Sequence, residues 1–108
     1  MSLLRRVLPA ALLSMGLAGP VLAQSTDPSF RLNNRTQGVI NEVYVSSSNE
    51  GGWGSDRLGA NVLSPGQSLT IRLPNGQCVN DIKVVYANGR SQEWMRQNTC
   101  QLTDINIQ

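Results

Sequence analysis

Cys78 and Cys100 are the only cysteines in a chain of 108 residues, and a leader of export type stands ahead of them. Arg5 and Arg6 form a short basic region, and an apolar stretch follows from Val7 to Leu17. Gly19 and Pro20 break it, and Val21 and Ala23 occupy the small-residue positions of a signal peptidase site. Cleavage is expected between Ala23 and Gln24. A membrane span needs about 20 unbroken apolar residues, which this stretch does not supply. The Arg5-Arg6 doublet permits a twin-arginine signal, but Leu4 and Pro9 fit it poorly, and the general secretory route fits better. The leader is bacterial in style, so the mature chain is expected to be periplasmic or secreted. Two cysteines in an oxidising compartment read as a disulfide. Closing a loop of this length contributes about 3 kcal/mol in the chain-entropy treatment. The rivals are free thiols or a metal pair, and a chain without His offers a zinc ion too few soft ligands.

Removing residues 1–23 leaves 85 residues, enough for one domain. The expected organisation is a cleaved signal at 1–23, a short linker at 24–28 and a single β-domain at 29–108. Arg5 and Arg6 account for the net charge of +2 of the precursor. The mature chain carries Arg31, Arg35, Arg57, Arg72, Lys83, Arg90 and Arg96 against Asp27, Glu42, Glu50, Asp56, Asp81, Glu93 and Asp104. That balance leaves no basic stripe for nucleic acid and no polybasic cluster for anionic lipid. No Cys stands at the cleavage site, so no lipid anchor is indicated.

Short alternating runs between turn residues predict an all-β fold, a small antiparallel sandwich or barrel of about six strands. Phe30 and Leu32 share a face. Broken alternation at Asn41 and Glu42 predicts a bulge. Leu69, Ile71 and Leu73 face inward from Ser68, Thr70 and Arg72. Cys78, Ile82, Val84 and Tyr86 share another face. "SPGQ", "PNGQ" and "ANGR" are turns. The disulfide constrains the last hairpin. A two-residue loop at Asn88-Gly89 sets Cys78 opposite Thr99 and sends Cys100 to the other side of the sheet. A three-residue loop, Ala87-Asn88-Gly89, pairs Ile82 with Trp94 and makes the cysteines diagonal neighbours. A bulge could do the same, and the remaining alternative is that the chain leaves the sheet before Cys100.

The stretch "NEGGWGSDRLG", Asn49 to Gly59, lacks alternation and forms a long loop. Its structural reading has Trp53 covering an end of the core, Asp56 accepting backbone hydrogen bonds as an Asx turn, and Leu58 as a second anchor. Its functional reading makes Trp53, Asp56 and Arg57 a ligand or partner surface, with Trp53 as a stacking platform. Trp94 reads as core. Glu50 and Asp56 offer oxygen ligands to calcium, but the spacing is no EF-hand loop. "NNRTQ" falls short of a crystallin-type calcium signature. "NRT" is formally a glycosylation sequon, though Asn and Gly here more simply mark a turn.

"F-x-L-x-N-x-T" from Phe30, "VYVSSS", "WGSDRLG", "LSPGQS" and "CVNDIKVVYANG", followed by the second Cys, run in order over nearly the whole mature chain. The set resembles a group of short exported bacterial proteins described as twin-arginine-signal or hypothetical proteins. "WG-x-D-x-L-G" and "C-x-x-D-I" are its more specific elements, and Asn80 stands where the group has an aromatic residue. The resemblance implies an exported β-domain and brings no substrate with it.

Catalysis needs a proton shuttle, an activated nucleophile or a metal. The chain has no His, a single Lys in its mature part and no "GxSxG" or "SxxK" motif. Asp81 with Glu93 or Asp104 could pair carboxylates, but their spacing does not require it. The expectation is a non-enzymatic envelope protein without cofactor, binding another envelope protein as an inhibitor or assembly factor. The alternative is a carbohydrate-binding module using Trp53, and self-association through sheet edges is a third reading.

Overall fold

The computed structural model describes residues 25–108. The expected signal, its cleavage point and Gln24 lie outside the described residues. Six strands form: β1 (Phe30–Asn34), β2 (Ile40–Ser47), β3 (Ser68–Ile71), β4 (Val79–Tyr86), β5 (Ser91–Asn98) and β6 (Asp104–Ile107). They make two three-stranded sheets, ordered β3-β1-β6 and β2-β4-β5, packed as a sandwich and not closed into a barrel. Among the described residues no helix is long and apolar enough to cross a membrane.

Alternation decides which residues meet between the sheets. Phe30, Leu32, Ile71 and Ile107 come from one sheet, and Ile40, Val43, Val45, Ile82 and Val84 from the other. All are nearly or fully removed from water, which is the main force joining the layers. Leu58, Leu63 and Leu73 complete the cluster from the connecting segments. Trp94 packs against it half-buried. The expected linker is not loose where it is described: Pro28 is fully buried, and the Thr26 carbonyl accepts from Gly76 N–H at 2.8 Å.

The antiparallel expectation holds for β1–β3, β2–β4 and β4–β5, whereas β1 and β6 run parallel. Four-residue β6 follows a turn that carries the chain from one sheet to the other. It enters beside β1 in the direction that lets Ile105 and Ile107 face the core opposite Leu32 and Asn34. The expected bulge in β2 is present between Ile40 and Glu42.

The last hairpin has the three-residue loop, with Tyr86 N–H donating to Arg90 carbonyl at 2.8 Å and Ile82 opposite Trp94. Gly89 closes it at φ 89°, a conformation that L side chains rarely adopt. The cysteines, expected as diagonal neighbours, sit differently. A second bulge, between Asn80 and Ile82, shifts the register by one, and Thr99 N–H then donates to Cys78 carbonyl. Cys100 is reached because the chain leaves the sheet at Asn98 into a single 3-10 turn, Thr99–Gln101. The Cys78–Cys100 disulfide, with Cα atoms 5.0 Å apart, therefore joins a strand end to that turn and does not bridge diagonal strand neighbours. Such a bond fits an oxidising compartment.

Candidate functional site

The Gly-Trp loop follows from how the free edge of β2 is satisfied. An edge strand presents unpaired N–H and C=O groups that invite pairing with other chains. Here the Asp56 carboxylate accepts from Val43 N–H at 2.9 Å and from Leu58 N–H at 3.0 Å. Arg57 N–H donates to Val43 carbonyl at 2.7 Å, and its Nη2 donates to Val45 carbonyl at 3.2 Å. Its Nη1 reaches Arg72 carbonyl at 3.4 Å. Further along, Leu63 exchanges two backbone bonds with Ile40. The loop thus seals β2. Asp56 forms the expected Asx turn, and Leu58 anchors in the core.

Trp53 does something else. Expected as a plug on the core, it lies outside the hydrophobic cluster, half-buried, with its ring centre 5.8 Å from Lys83 Nζ. Gly52 and Gly54, at φ 86° and 74°, bend the chain so that the ring reaches the outer face of sheet β2-β4-β5. The Tyr44 ring approaches the same ammonium, at 5.9 Å. One cation between two aromatic rings holds the loop against the sheet. Tyr44 is opposite Lys83, and Lys83 is opposite Glu93, so a row of outward side chains crosses all three strands. The Tyr44 hydroxyl donates to Glu42, and this bond raises the tyrosine pKa.

An open groove of about 540 Å³ lies beside this row, lined by Ser46, Ser47, Glu50, Trp53, Arg57 and Gln77 among others. The structure thus brings Trp53 and Arg57 to one groove. Asp56 is turned onto β2 and does not line it. Tyr44 and Lys83 were not singled out from the sequence. Strand alternation alone marks them as outward, but placing them together needs the β2–β4 register.

Asp81, one of the carboxylates considered for pairing, is buried at 9% exposure. It accepts from Ser48 Oγ at 2.6 Å and from Arg96 N–H at 2.9 Å, and these two bonds lower its pKa in that order. Its second partner is the bulge residue: Arg96 has φ 55°, left-handed for a side-chain-bearing residue. Asp81 and Asp104 belong to different sheets and do not form a pair. The acids of both specific motifs, Asp56 and Asp81, therefore hold backbone N–H groups. Asn80 is fully buried, donates to Gln77 carbonyl and Thr99 Oγ1, and braces the segment beside the disulfide.

The opposite face, on sheet β3-β1-β6, is closed upon itself. Asn33 donates to Asp104 and Asn106 and accepts from Ser68, and Arg31 pairs with Asp104 at 2.8 Å. Asn33, then Arg31, lower the Asp104 pKa. The sequon residue Asn34 is wholly buried, its amide donating to Gly38 and Leu63 carbonyls, so the folded chain offers no glycan acceptor there. Among the described residues no group of three metal-ligating side chains comes together.

No family model, curated protein or solved structure matches the chain.

Proposed function

We propose that the protein is a non-catalytic, exported module of the bacterial envelope, periplasmic or released, that binds another protein through the outer face of sheet β2-β4-β5. The observation that carries this is the side-chain set on that face. Tyr44, Trp53, Val79, Val85 and Met95 stand outside the core there, with Val79 and Met95 at 40% and 52% exposure. Aromatic residues and Met are enriched at protein interfaces. Glu42 and Glu93 flank Lys83 on the face, which suits a partner with basic groups around an apolar centre. Absence of His, the oxidised cysteines and the backbone-bound carboxylates support a binding role over catalysis.

A second reading is favoured by one observation: Trp53 lies outside the core and lines a groove rich in hydroxyl and amide groups. That combination suits a sugar ring stacked on indole. Cross-linking capture from periplasmic extract tests the first reading. Proteins retained by the wild type are expected to be lost with the Tyr44→Ala/Trp53→Ala variant. Recovery of the same set by both counts against the face. Fluorescence titration of the Trp94→Phe protein, in which Trp53 is the sole indole, tests the second. An unchanged spectrum across peptidoglycan fragments and common glycans removes it.

A further inference from the structure

The two edges of sheet β2-β4-β5 are treated differently. The β2 edge is sealed by Asp56, Arg57 and Leu63. At β5 the Arg90 carbonyl accepts from Tyr86 N–H, so antiparallel alternation turns Gln92 and Trp94 toward β4 and leaves Ser91 and Glu93 pointing away. Among the described residues nothing bonds to the outward backbone groups of Ser91 and Glu93. The next outward carbonyl, Met95, already accepts from Gln97 Nε2 at 2.9 Å, and the bulge at Arg96 ends the regular ladder. The open run is therefore Arg90 to Trp94. It contains no Pro, and its two charges, Arg90 and Glu93, are of opposite sign.

We infer that this run pairs with the same run of a second copy of the chain, antiparallel about a two-fold axis, joining two sheets into one of six strands. The sequence of the run is complementary to itself in one register. With Gln92 opposite Gln92 of the second copy, Ser91 meets Glu93 and Arg90 meets Trp94, each twice by symmetry. Ser91 and Glu93 are the residues whose backbone groups are free, and they exchange four hydrogen bonds. The side chains agree: a hydroxyl meets a carboxylate on the outer face, and a guanidinium meets the half-buried indole on the inner face. The register centred on Glu93 sets Glu93 against Glu93 and Arg90 against Arg96. It also needs the Met95 carbonyl that Gln97 occupies. Like charges directly opposite disfavour it.

So short an interface is weak, with a dissociation constant on the order of 0.1–1 mM. Sedimentation equilibrium of the purified exported protein, from about 10 µM to about 2 mM, spans that range. The weight-average mass of the wild type is expected to climb from monomer toward dimer. Ser91→Glu, an exposed change that sets two Glu pairs opposite each other, is expected to weaken the dimer by about tenfold. The double variant Ser91→Glu/Glu93→Ser exchanges the partners and restores the wild-type constant within about threefold. Far-UV circular dichroism confirms that each variant is folded. A wild type that stays monomeric at about 2 mM overturns the proposal. So does a dimer indifferent to Ser91→Glu, or one that the double variant fails to restore.

Discussion

Replacing Asp56 by Ala removes the acceptor that seals β2. Val43 has no exposed surface, so its N–H is left without a partner and without water. A buried orphan of this kind costs about 1–3 kcal/mol. Leu58 N–H also loses its acceptor, at about 1 kcal/mol for a typical hydrogen bond. Together the change destabilises by about 3 kcal/mol, a large share of what a domain this size holds. For 60–100 residues that corresponds to a thermal midpoint lower by about 12–24 °C. Asp56→Asn keeps an oxygen at the same place and is expected to lose less than about half as much. The assay is thermal and urea denaturation followed by fluorescence. In a Trp94→Phe background the emission reports Trp53, which is expected to shift red in the Ala variant before the sheet unfolds. An Ala variant within about 0.5 kcal/mol of wild type refutes the reasoning, as does an Asn variant as damaged as the Ala variant.

Three further outcomes are expected. Asn34→Ala removes a fully buried amide that donates to the Gly38 and Leu63 carbonyls and accepts from the Thr36 N–H and hydroxyl, so the loss of these bonds is expected to cost about 2–4 kcal/mol in urea denaturation. Arg96→Gly relieves a left-handed residue, offset in part by a freer unfolded chain, and is expected to raise stability by about 0.5 kcal/mol; Arg96→Val, with its branched Cβ, lowers it. Asp81 and Asp104 have folded pKa values below their unfolded ones, so their stabilisation is present above the unfolded value, about 3.9, and is lost as pH falls through the folded values. The thermal midpoint should hold from neutrality to about pH 4 and then drop, and Asp81→Asn/Asp104→Asn should flatten that drop.

The strands were legible because a pleated, half-buried sheet imprints a period of two on the chain. Phe30/Leu32, Leu69/Ile71/Leu73 and Ile82/Val84 all face inward as that period requires. The Ala87–Gly89 loop was legible for a local reason, since Gly is suited to the left-handed closing position. The cysteines do not fix that loop, because the chain has left the sheet before it reaches Cys100. A carboxylate from Asp81 stabilises a left-handed Arg96, and no propensity of Arg announces that bulge. Trp53 shows the same boundary. Its glycines mark a bent loop, but whether the indole meets core or solvent depends on Lys83 and Tyr44, which are remote in the chain.

Sequence alone therefore determined the strand periodicity, the turns and the oxidisable pair, because each depends on neighbours a few residues apart or on residue chemistry. Tertiary structure alone decided the parallel entry of β6, the register beside the disulfide and the sealing of one edge while the other stays open. Those depend on which backbone groups find partners across the fold, a balance set by distant residues and invisible to any local pattern.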